Sequence, residues 1–204
     1  MTINATTRTA FLGIAALTLA ACAKKENAAD TTASSTTTGD TSTMSAGAAS
    51  STTPSGTWSD PNIVAMLDEA NAADSSAGAV AATKGTAAAV RDFGRRMMKD
   101  HHTLRAQGAA LAKKLNVTPA APSDDPVPGM ASDETNTLNS TAKGKDFDKA
   151  YIDAEVNAHK AVLDLATKAA AQTQNAELKN LIQKAAPVIQ GHLDKAESIQ
   201  KTLK

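Results

Sequence analysis

Asp74, His101, Glu155, His159 and His192 stand where the surrounding pattern asks for apolar side chains. Each lies at or near the middle of one of four stretches that carry a helical apolar stripe. A charge or an imidazole on such a face is costly to bury unless it is paired or bound to a metal. Three imidazoles and two carboxylates are suitable ligands for zinc, iron, manganese or copper. Facing helices of a bundle are where such centres are built. Glu155 and His159 are four residues apart, so their side chains meet on one helix face. The competing reading is a metal-free polar centre, in which the same groups bond to one another and set helix register. Buried neutral imidazoles without a carboxylate partner would then charge in acid and loosen the fold near roughly pH 5–6.

The elements that must bring these residues together are read from periodicity near 3.6. Ser59-Asp60-Pro61 predicts a helix start with Asp60 as N-cap and Pro61 in the first turn. A first helix then runs to about Thr83, with Ile63, Leu67, Ala70, Asp74, Ala77 and Ala81 along one face. Ten of the twenty residues 70–89 are alanine, so this helix buries little area but permits close backbone approach. Gly85-Thr86 breaks the chain and caps a second helix over 87–115. Its stripe includes Phe93, Met97, His101, Leu104 and Leu111. His102 points about 100° from His101 and belongs on the surface. Met97 and Met98 read as core filler rather than ligands.

Four prolines between 119 and 128 mark a long connection with one short helix over 131–139. A third long helix spans 145–172 and a last one 175–203, where Pro187 should produce a kink. Two helical hairpins joined by one long crossover give an all-α, ferritin-like four-helix bundle over residues 58–204.

The chain begins differently. Residues 1–22 read as a signal segment: Arg8 precedes an apolar run from Phe11 to Leu19 that is too short to span a bilayer. It ends in Leu19-Ala20-Ala21-Cys22, which resembles a bacterial lipobox, and Cys22 is the only cysteine. Lipidation there, with palmitate among the acyl chains, would anchor the protein in a membrane. By resemblance to lipoprotein sorting, Ala23 and Lys24 favour the outer membrane, with the protein facing the periplasm. Residues 23–57 are dominated by Ser, Thr, Ala and Gly and are read as a disordered tether.

Formal charge excludes one class. With 21 basic and 21 acidic residues the chain carries no net charge, unlike a nucleic-acid binder with its basic face. Arg91, Arg95, Arg96 and Lys99 are read as a solvated helix face. The chain holds no nucleophile elbow, phosphate loop or cysteine pair.

The run Val90 to Leu104, V-x-x-F-x-x-x-M-x-x-D-H-x-x-L, resembles the signature of the bacterial family known as domain of unknown function four-one-four-two. Phe147-Asp148-Lys149-Ala150-Tyr151 with His159, and Pro187 with His192-Leu193, agree with it. The resemblance covers residues 60–203 and implies a ferritin-like bundle, exported or lipid-anchored, with no established activity. It carries over Asp100, His101, His159 and His192 as recurring polar positions. Met98 stands three before His101 and Glu155 four before His159, a departure from the Glu-x-x-His spacing of di-iron enzymes.

Three functions follow. The first is a non-enzymatic envelope lipoprotein whose bundle binds a metal or a protein partner in stress tolerance. The second is a metal-dependent enzyme or metal-storage protein using the His/carboxylate centre. The third is a metal-free structural or interaction module.

Overall fold

In the computed structural model residues 56–203 are described. The signal segment, Cys22 and all but the end of the 23–57 tether lie outside them. The described residues form five helices and no strand: α1 (Asp60–Lys84), α2 (Ala88–Leu115), α3 (Val127–Ser140), α4 (Lys145–Gln172) and α5 (Ala176–Gln200). The hairpins α1/α2 and α4/α5 make the bundle, and α3, in the crossover, packs on α1 and α4. No helix among the described residues is long and apolar enough to cross a membrane.

Local chemistry sets the helix ends. The α1 cap is Ser59 rather than Asp60. Ser59 is extended, and it trades bonds with Asn62 in a reciprocal capping box. Asp60, one residue inside, is free to accept from Thr173 Oγ1 at 2.6 Å. That bond, together with buried Trp58 and its backbone bond to Gln172 at 2.6 Å, ties the start of the domain to the end of α4. Lys168 sits over the Trp58 ring at 4.1 Å.

Helix α2 has no side-chain cap of its own. Asp148 of α4, fully buried, accepts instead from Thr86 N, Ala87 N and Thr86 Oγ1 at 2.8, 2.7 and 2.5 Å. A carboxylate at a helix N-terminus also meets the positive end of the helix dipole. Helix α3 starts earlier than its apolar pattern suggests. Asp125 accepts from Val127 N at 2.8 Å, and Pro128 occupies the first turn, where a missing N–H costs nothing. Asn175 caps α5. Pro187 lies inside α5 on its exposed face, where the carbonyl it leaves unbonded, that of Gln183, can reach water.

The crossing of α1 and α2 depends on two glycines. A Cβ on Gly78 would fall 2.6 Å from the Gly94 carbonyl oxygen, and one on Gly94 would fall 2.6 Å from that of Gly78. The backbones therefore touch at this point, one turn beyond Asp74 and two turns before His101. The core has two apolar layers. One gathers Trp58, Ile63, Met66, Leu178 and Ile182; the other gathers Phe93, Met97, Phe147, Tyr151 and Leu193. On each of the four long helices, the sequence-predicted polar residues fall where one layer gives way to the other.

Candidate metal centre

His101 from α2, His159 from α4 and His192 from α5 meet inside the bundle, and all are at most 1% exposed. Their ring centroids form a nearly equilateral triangle with sides of 5.1, 5.4 and 5.6 Å. Each ring uses one nitrogen on an oxygen behind it. His101 Nδ1 lies 2.8 Å from Asn71 Oδ1, His159 Nδ1 lies 2.9 Å from the Glu155 carbonyl oxygen, and His192 Nε2 lies 2.9 Å from Asp100 Oδ2.

None of these three partners can donate. A carbonyl and an ionised carboxylate only accept, and Asn71 is oriented by its own amide, which donates to the Leu67 carbonyl at 2.6 Å. Each ring nitrogen facing an oxygen therefore carries the hydrogen. In the neutral ring the other nitrogen is a bare lone pair: Nε2 of His101, Nε2 of His159 and Nδ1 of His192. These three atoms are buried and have no hydrogen-bond partner. One ligand atom from each histidine lies within 4.8 Å of the others.

A carboxylate stands close to each imidazole. Asp74 Oδ2 is 3.4 Å from His101 Nδ1, Glu155 Oε2 is 3.2 Å from His159 Nδ1, and Asp100 completes the set at His192. Oxygens behind imidazole rings fix tautomer and ring orientation, and they raise the basicity of the opposite nitrogen. Asp74, Glu155 and His159 also form a group of their own within 4.8 Å. The five residues singled out from sequence are thus together, the carboxylates lying on the hydrogen-bearing side of the rings.

Burial governs the electrostatics. It pushes His101 from 6.5 to about 3, helped by repulsion from His159 and His192. It pushes His192 to about 4, although the bond to Asp100 pulls the other way. Burial also opposes the charge of Asp100, but its bonds from His192 and Arg96 outweigh that and hold its pKa below the ordinary value. Burial raises Glu155 to about 8, against a pull from the Tyr151 hydroxyl beside it. Asp74 is raised well above its usual range by burial and by Glu155, and Glu134 on α3 reaches about 8 for the same two reasons.

Glu134 and Asn71 are the residues that sequence reasoning missed. Asn71 lies three before Asp74, the helical spacing that would have flagged it. Glu134 was hidden because the crossover looked polar throughout. Glu134 lines a cleft of about 640 Å³ between α1, α3 and α4, with Asp74, Asp133 and Asp153 also in its walls and no basic side chain among them. His102 is exposed and Met97 is buried among apolar residues.

The family model described as Domain of unknown function (DUF4142) matches residues 43–199, and the chain belongs to that family. The match begins inside the segment read as a tether. No curated protein and no solved structure matches the chain.

Proposed function

We propose that this DUF4142 protein is an envelope lipoprotein whose bundle holds one transition-metal ion on His101 Nε2, His159 Nε2 and His192 Nδ1. The observation that carries the reading is the triangle of three buried imidazoles, each fixed from behind by an oxygen and each keeping one unpartnered nitrogen. A metal-free polar core would be expected to satisfy those atoms, because a buried orphan acceptor costs about 1–3 kcal/mol. Metal–imidazole bonds of about 2.0–2.1 Å need only a modest closing of the triangle. Three imidazoles favour zinc or copper over manganese, which prefers carboxylates. They also leave a further coordination position for water or another ligand.

The test is metal analysis of the full chain purified without an affinity tag, followed by zinc titration of chelator-treated protein. One equivalent should bind, and His159→Ala together with His192→Ala should abolish it. Stoichiometric binding that survives this double substitution would remove His159 and His192 from the site, and no binding at all would sink the reading. The anchor is tested separately: labelled palmitate should enter the wild-type chain in a bacterial host and be absent from Cys22→Ala.

A further inference from the structure

A second cavity, of about 350 Å³, lies on the other side of Asp74, among α1, α2, α4 and α5. Its walls are apolar, from Val64, Val162, Leu178, Ile182 and Ile189. It exists because Ala70, Ala112 and Ala166, all buried, stand where larger side chains would close the layer. Water is a poor occupant of such a space, since an ordered molecule needs two to four polar partners. Left dry, the lining forfeits dispersion contacts on one side.

Two polar features mark the ends. Towards solvent, Arg105 spans from α2 to Asp68 of α1 through two bonds of 2.9 and 3.0 Å, so both charges there are already matched. At the metal-centre end stand Asn71 and Asp74. Both amide atoms of Asn71 are occupied, by Leu67 and by His101. The Asp74 carboxyl is only 4% exposed and takes part in no hydrogen bond among the described residues. Its ring neighbour, His101 Nδ1, is 3.4 Å away and is turned to Asn71.

We propose that this cavity binds a small uncharged amphiphile, an apolar body of about a dozen non-hydrogen atoms with one hydroxyl or N–H group that donates to Asp74. The size follows from the comparison with a cavity of about 150 Å³ that accommodates benzene. A carboxylate head is disfavoured, because its charge would be buried in an apolar surround whose one lining cation, Arg105, is already matched to Asp68. The site does not depend on metal binding, although its polar end lies one side chain from His101.

Decan-1-ol is a suitable probe, with decanoate as its charged counterpart, each titrated into the metal-free full chain and read by calorimetry and thermal melting. Decan-1-ol should bind saturably with one equivalent and raise the Tm, and decanoate should bind at least tenfold more weakly. Ala166→Phe and Ala70→Leu, which fill the void from different helices, should each fold and abolish the effect of decan-1-ol. Asp74→Ala should weaken decan-1-ol while leaving a purely apolar probe such as toluene unaffected. Absence of saturable decan-1-ol binding to wild type, or equal binding by whichever filled variant folds, would overturn the proposal. Because the protein is metal-free throughout, loss of the zinc result would leave this one standing.

Discussion

Asp100 differs from the other two carboxylates of the centre. Asp74 and Glu155 are buried, whereas the Asp100 side chain is 27% exposed and is shared between His192 and Arg96, the latter at 3.2 Å. Its bond to His192 supplies charge as well as orientation. Asp100→Asn keeps an acceptor of the same shape and removes the charge, so the His192 ring stays in place while its free nitrogen becomes a weaker donor to metal. The expected result is a loss of about tenfold in zinc affinity, the lower end of what such outer partners contribute. The melting temperature of the metal-free protein should move little, because this partly exposed group sits in solvent-screened surroundings. Competition titration against a chromophoric chelator measures the affinity. An unchanged value would mean that the carboxylate does not tune the ring.

Helices α1 and α2 place Asp74 and His101 through a backbone contact rather than through interlocking side chains. A Cβ on Gly94 meets the Gly78 carbonyl oxygen at 2.6 Å and the Ala82 amide nitrogen at 2.9 Å, and neither is a flexible side chain that can swing aside. Gly94→Ala should therefore force the helices apart and cost about 1–3 kcal/mol. Gly108 on the same helix is the control, since nothing lies within 4 Å of a Cβ there. Gly108→Ala should be neutral or stabilise by up to about 1 kcal/mol through helix propensity. Equal effects of the two substitutions in thermal melts would contradict the close-crossing account. This contact also shows what sequence can and cannot display. The bounds of α4 follow from apolar periodicity, because Phe147, Tyr151, Ile152 and Val156 repeat at helical spacing and face a continuous core. The alanine content of α1 announces close packing in general, but Gly78 and Gly94 are found only once the two helices are laid across each other. The same holds for Asp148. As a residue of α4 it looks like a surface charge, and its capping of α2 exists only through a contact some sixty residues away in the chain. The five centre residues were visible because polar groups interrupt apolar stripes. Which nitrogen each ring leaves free was not, since it depends on an amide, a main-chain carbonyl and a carboxylate from three different sources.

At the scale of the molecule, a polar layer is held between two apolar ones, and that layering determines how the metal-free protein should respond to pH. The buried groups divide into two kinds with opposite signs. His101 and His192 are depressed from 6.5 to about 3 and about 4. The unfolded chain therefore takes up protons below about pH 6.5 that the folded one refuses, and stability is lost as pH falls from there. Glu134 and Glu155 are raised from 4.5 to about 8, and Asp74 also lies well above its ordinary value. Here the folded chain keeps protons that the unfolded one releases, so stability is full below about pH 4.5 and is lost as pH rises towards 8. Between about 4.5 and 6.5 the two trends oppose each other, two imidazoles against three carboxyls. Above that window the raised carboxyls act, and below it the imidazoles, joined by Asp100 and Asp153, whose lowered pKa values also withdraw stability as pH falls. Acid loosening near roughly pH 5–6 is the expectation for imidazoles without carboxyl partners. Each imidazole here has one nearby, and with the raised carboxyls titrating in the same window the expected response is a plateau with a fall on both sides. The metal-free protein should melt about 5–10 °C lower at pH 8 than at pH 5.5, and lower again at pH 3.5 than at the plateau. Glu155→Gln removes one titrating group from the upper limb, so its melting temperature should decline less between pH 5.5 and 8 than that of wild type. Calorimetric scans at the three pH values decide the matter: a wild-type Tm that holds or climbs from pH 5.5 to 8 would mean that the buried carboxyls are not carrying protons in the fold.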